Sequence, residues 1–208
     1  MDIKSFKLNK FNITLVYEEL STDNFSLDKI NNKFDKDVNI HKLNPELYII
    51  AFNDGVQCQL GQRRVVASYN SNDDIITDED VDKVKNRLTD IMSTLSNVSL
   101  NAFGFNYDGI GEVNAEIEAG KYFANNFPLD KEKLDNSING SFANLSPNFR
   151  IEEDSKEYNI NLNANRNSNH FNFHFNVHFK LNTFLEKDKI TKMFNNQYNK
   201  VINIINSI

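Results

Sequence analysis

Two runs of alternating side chains between Glu157 and Phe179 fit one another in a single register. Tyr158, Ile160, Leu162 and Ala164 alternate with Asn159, Asn161, Asn163 and Asn165. After Asn167-Ser168 the alternation resumes, with Phe171, Phe173, Phe175, Val177 and Phe179 set among Asn172, His174, Asn176 and His178. A period of two is that of a strand, whose successive side chains point to opposite faces. A two-residue turn at Asn167-Ser168 pairs Ala164 with Phe171, Leu162 with Phe173, Ile160 with Phe175 and Tyr158 with Val177. The polar partners are then Asn165 with His170, Asn163 with Asn172, Asn161 with His174 and Glu157 with His178. A slip of one residue would turn every phenylalanine into water, so the register is strongly specified. The aromatic face needs a cover, and the amphipathic C-terminal segment supplies one.

Other strands and helices can be read around this hairpin. Phe11, Ile13, Leu15 and Tyr17 alternate with Asn12, Thr14 and Val16 and predict a first strand. A short helix is expected within Asp23 to Phe34. Leu47 to Phe52 is an apolar run of strand length, and Asp54-Gly55 after it is a type I′ hairpin signal. Val56, Cys58 and Leu60 share a face, and a further strand is expected from Arg63 to Tyr69 after a turn at Gly61. Thr77 followed by Asp80 predicts a capping box, and Val81, Val84, Leu88, Ile91, Met92 and Leu95 recur at helical spacing. A strand from Val98 to Tyr107 is expected to break at Gly109 to Gly111. A weaker helix should then run from Glu112 to Asn126, with Pro128 closing it. In the second half, strands are expected over Ile138 to Leu145 and Asn148 to Ile151, ahead of the hairpin and a helix with Ile190, Phe194, Val201 and Ile205 on one side.

These segments predict an α+β fold: a mostly antiparallel sheet with two long amphipathic helices packed on one face. Residues 1–208 read as one compact domain, since no Gly-, Pro- or Ser-rich linker divides them. Each half ends in a strand meander and a helix. A pseudo-repeat of halves 1–110 and 111–208 accounts for that, and so does one continuous sheet.

Composition narrows the chemistry. With 39% hydrophobic and 25% charged residues the chain has the make-up of a globular protein. Its formal charge of −6 opposes nucleic-acid binding, which needs a basic face to displace phosphate counterions. No apolar run approaches the length that crosses a bilayer, and the first ten residues carry no secretory signal, so a cytoplasmic setting is expected. Asparagine fills 35 of the 208 positions, as AT-rich coding would produce, which suits a bacterial or phage origin. A single cysteine, Cys58, rules out an internal disulfide and a cysteine-built zinc site.

Specific motifs are scarce. His170, His174 and His178 stand about 13 Å apart along a strand at roughly 3.3 Å per residue, too far for two of them to share one metal. Asp35, Asp37, Asn39 and Glu46 match positions of a calcium loop, but Ile40 occupies the place that needs glycine. Gly109-Ile110-Gly111 lacks the third glycine of a dinucleotide fingerprint. Glu152 to Asp154 read as a solvated turn. No cofactor and no catalytic residue is assigned. The candidate binding surface is the polar hairpin face, comprising Glu157, Asn161, Asn163, Asn165, His170, Asn172, His174 and His178, whose amides and imidazoles offer donors and acceptors. A non-enzymatic interaction or assembly module, with a protein or a second copy as partner, ranks first. An acidic inhibitor or immunity protein and a phage or defence accessory protein are specific forms of it. A small-molecule binder with an aromatic-lined pocket ranks second, and an enzyme using the His/Asn/Glu face third.

Overall fold

The structure is a computed structural model and describes residues 1–21, 24–34, 37–71, 75–114, 116–127 and 145–207. Among the described residues, nine strands form one antiparallel sheet in the order β2-β3-β4-β5-β1-β6-β9-β8-β7, joined by four α-helices. No helix among the described residues is long and apolar enough to cross a membrane.

β1 (Ile3–Tyr17) and β6 (Leu100–Val113) are long central strands that pair along almost their whole length. The strand expected from Phe11 begins eight residues earlier. Register shifts between Ile3 and Ser5 and between Leu8 and Lys10 break the period of two, which hides the first half of β1 from a pattern search. β6 does not stop at Gly109 to Gly111 as expected. Those glycines are strand residues lying beneath aromatic rings: a β-carbon on Gly111 would come 2.1 Å from Phe171 Cζ, and one on Gly109 would come 2.4 Å from Phe173 Cζ. The helix expected from Glu112 is correspondingly shorter and is α3 (Ala119–Asn126).

On one flank, α1 (Leu27–Phe34) precedes a meander of β2 (Val38–Asn44), β3 (Leu47–Phe52), β4 (Gln57–Gly61) and β5 (Arg64–Asn70). β2 occupies the stretch that a calcium loop would need, so that reading fails; Asp35 itself lies outside the described residues. The Asp-Gly turn is not type I′, because only Gly55 has a positive φ (86°). Phe52 N–H donates to Val56 O at 2.9 Å around a three-residue loop. The I′ backbone occurs one hairpin later, at Gln62 (φ 53°) and Arg63 (φ 63°), so β5 starts at Arg64. α2 (Asp78–Met92) opens with the predicted capping box: Asp80 N–H donates to Thr77 Oγ1 at 3.3 Å and Thr77 N–H to Asp80 Oδ2 at 3.0 Å.

On the other flank lie β7 (Asn148–Glu153), β8 (Lys156–Ala164) and β9 (His170–Phe179), followed by α4 (Ile190–Ser207). Seven of the eight predicted hairpin pairs lie in the β8–β9 ladder. Asn165 N–H donates to His170 O, and the chain reverses over the four residues Arg166 to Asn169, with a positive φ at Asn167 alone, rather than through the expected two-residue turn. Glu152 and Glu153 belong to β7 rather than to a turn. The strand expected over Ile138 to Leu145 lies, but for Leu145, outside the described residues, as does Pro128.

The apolar sides of these strands form one continuous core. Cross-strand partners share a face, so Phe11, Tyr107, Phe175 and Ile160 line one side of the sheet, here the inner face. Phe194 of α4 meets Phe11 at 4.9 Å and Tyr107 at 4.6 Å between ring centroids, and Tyr107 donates to the Phe194 carbonyl at 2.8 Å. Phe123 of α3 meets Phe171, and Phe34 of α1 meets Phe52. Such aromatic pairs add about 1 kcal/mol each beyond the area they bury.

Candidate functional site

The outer face of the sheet is built by the other half of each alternation. One row runs in register across all nine strands, from Asn39 on β2 through Gln57, Ser68, Asn12, Asn106, Asn176 and Asn159 to Arg150 on β7. At its centre the side chains bond to one another. Asn176 Nδ2 donates to Asn106 Oδ1 at 2.6 Å, Asn106 Nδ2 donates to Asn12 Oδ1 at 2.7 Å, and Thr14 Oγ1 donates to the same oxygen at 2.9 Å. An amide both donates and accepts, so three strands are cross-linked without any charge.

The neighbouring row holds Lys10, Asp108, His174 and Asn161. His174 Nδ1 lies 2.7 Å from Asp108 Oδ1, with both side chains partly exposed. A carboxylate only accepts, so Nδ1 carries the proton and Nε2 is turned to the surroundings. Toward the far end, Asn172 Nδ2 donates to Asn165 Oδ1 at 3.1 Å, and Ser168 holds His170 at 3.0 Å. Glu157 accepts from Asn159 Nδ2 at 2.9 Å and from Arg150 at 2.9 Å. The Asn159 bond is the main reason its carboxyl sits below the usual range, with Arg150 and Lys180 adding to it.

All eight predicted site residues therefore stand on one face, in four rows, with the Asn159–Asn176 row lying between the row of Glu157 and His178 and the other three. The structure ties Asn165 to Asn172, whereas Glu157 bonds to Arg150 and Asn159 and His174 to Asp108. The prediction left out Asn12, Asn106, Asn159, Asn176, Asp108 and Arg150. Asn12 and Asn106 lie in strands that were expected, but their proximity depends on the β1–β6–β9 order, which no local pattern encodes.

The outer face changes character across β1. Val16, Leu47, Ile49, Ala51 and Val66 stand on it half-buried, among exposed Gln57 and Gln59. β3 is thus apolar on both sides: Tyr48, Ile50 and Phe52 are buried inward, while Leu47, Ile49 and Ala51 face outward. The chain's four histidines, His41 included, all belong to this face by register.

Two other features bear on chemistry. Cys58 is fully buried beside Val56 and Leu60, and burial pushes its thiol far up, away from the reactive thiolate. On the inner side, a cleft of about 350 Å³ opens between the start of α2, α4 and β1, with Phe6, Leu8, Ile76, Val81, Phe194 and Tyr198 among its walls. No cluster of three His, Cys, Asp or Glu side chains suited to a metal ion occurs among the described residues. The chain matches no protein-family model and no curated protein sequence.

Proposed function

We propose that this protein is a non-enzymatic interaction module that binds a protein partner through the outer face of its sheet. The observation that carries this reading is β3, a strand apolar on both sides. An antiparallel sheet with one face in water ordinarily alternates apolar inward with polar outward, whereas strands covered on both faces read as continuous apolar runs. The outward aliphatic residues Val16, Ile49 and Val66, bordered by neutral amides, have the make-up of an interface centre with a polar rim. In this reading α2 and α4 are the two long helices covering the inner face. The two flanks, each an opening central strand, a meander returning to it and a terminal helix, are the halves of a repeat, divided ahead of β6 rather than at residue 110, which lies within that strand. A cytoplasmic inhibitor, immunity or phage-accessory protein is the setting that suits the acidic charge.

The test uses two substitutions on the face, Val66→Glu and His174→Ala. Loss of partner binding with an unchanged melting temperature supports the reading. Unchanged binding by both variants contradicts it. The aromatic cleft favours the second reading, a small-molecule binder, since apolar walls with a few polar groups are the common form of such sites.

A further inference from the structure

We infer that the partner of the outer face is a second copy of this chain, the two sheets packing face to face in an isologous dimer. The inference rests on the reading of that face as the binding surface. An isologous interface must be complementary to itself, because the same patch supplies both sides. A surface of one charge sign fails that requirement, and amides meet it, since each can donate to and accept from its own copy.

The charges support the same occupant. The molecule as a whole carries a formal −6, which would hold two copies apart. On the outer face the in-register charges cancel: Lys7, Lys10, Arg64 and Arg150 stand against Asp108, Glu112, Glu152 and Glu157. All four carboxylates are already held, Glu112 by Lys4 at 2.8 Å, Glu152 and Glu157 by Arg150, and Asp108 by His174. The net negative charge therefore lies elsewhere, and it does not hold two copies apart on this surface.

The area is sufficient. Nine strands about 4.8 Å apart and some seven residues long present a face of roughly 900 Å². A stable interface of ordinary size takes about 800 Å² from each partner. Two sheets packed in this way align near −30° at a separation of about 10 Å, and the aliphatic patch of each copy is then removed from water.

Sedimentation equilibrium on the intact chain over a wide concentration range tests this, alongside Val66→Glu and Asn106→Asp, with folding of each checked by thermal melting. The expected result is twice the chain mass for the wild type and the single mass for both variants, with melting of at least Val66→Glu retained. A monomer at every concentration overturns the proposal, as does a dimer that both folded variants leave intact. Carbethoxylation of the four histidines separates the two levels. A monomer whose histidines become protected in an extract of the native cells keeps the face as a binding surface with a different occupant, whereas a monomer with histidines labelled equally everywhere loses both readings.

Discussion

The ring of Phe171 occupies the space that a side chain on Gly111 would need, with Cζ 2.1 Å from the ideal β-carbon position. Phe171 is fully buried and is held in turn against Phe6 and Phe123, so it has little room to move. Two strands that each look interrupted or crowded alone thus fit only together.

Gly111→Ala is therefore expected to destabilise the fold by about 1–3 kcal/mol, the usual cost of overpacking a dense core. Urea unfolding measures it. Adding Phe171→Leu to Gly111→Ala should cost less than the two single changes summed, because the smaller side chain vacates the contested space.

The capping box at the start of α2 makes a separate prediction about pH. Burial works to raise the Asp80 carboxyl, but hydrogen bonds from the Thr77 backbone and hydroxyl and from Lys83 outweigh it, and the group sits below its ordinary value. A carboxyl lowered by folding stabilises the native state above its unfolded pKa, near 3.9. That contribution disappears as pH falls through the folded value. Melting temperature should drop more steeply below about pH 4 in the wild type than in Asp80→Asn. Thr77→Ala should cost about 1 kcal/mol at neutral pH.

Asn106 is the centre of the amide row, donating to Asn12 and accepting from Asn176. Asn106→Ala leaves both neighbours a partner short on a half-exposed face. The expected loss is about 0.5–1.5 kcal/mol, since water replaces part of what is removed. Chemical denaturation of Asn106→Ala and Asn176→Ala, singly and together, should show coupling between the two sites.

The inner cleft has its own readout. The chain contains no tryptophan, and Ile75 at the rim of the cleft is 64% exposed. Ile75→Trp places a single indole there. If the cleft takes uncharged aromatic molecules, 2-naphthol should quench that emission saturably, and Val81→Trp, which fills the cleft, should abolish its binding. Linear, non-saturating quenching would exclude the small-molecule reading.

The hairpin from Tyr158 to Phe179 was legible down to each cross-strand pair, because a strict alternation admits one register when one face is buried. The capping box was legible because all of its groups lie within four residues. What local pattern could not reveal depended on distant neighbours. Gly109 and Gly111 read as a break until the rings of Phe173 and Phe171 are seen to lie over them. The bulges near Ser5 and Asn9 hide the strand character of Ile3 to Lys10. The type I′ backbone sits at Gln62-Arg63, residues without the glycine or asparagine that marks such turns, while the marked Asp54-Gly55 pair takes a three-residue loop. Two of the nine strands of the outer face were legible as the polar side of one hairpin. Its extension to Asn12 and Asn106 required the strand order.

Because His41, His170, His174 and His178 all stand on the outer face, histidine-directed labelling reports on that surface. Carbethoxylation rates mapped by mass spectrometry, in dilute protein and in protein at high concentration or with native-cell extract, test the binding role most directly. The account predicts that His174 and His178 slow markedly when the partner, a second copy or another protein, is present. Equal labelling of all four histidines under every condition would contradict it.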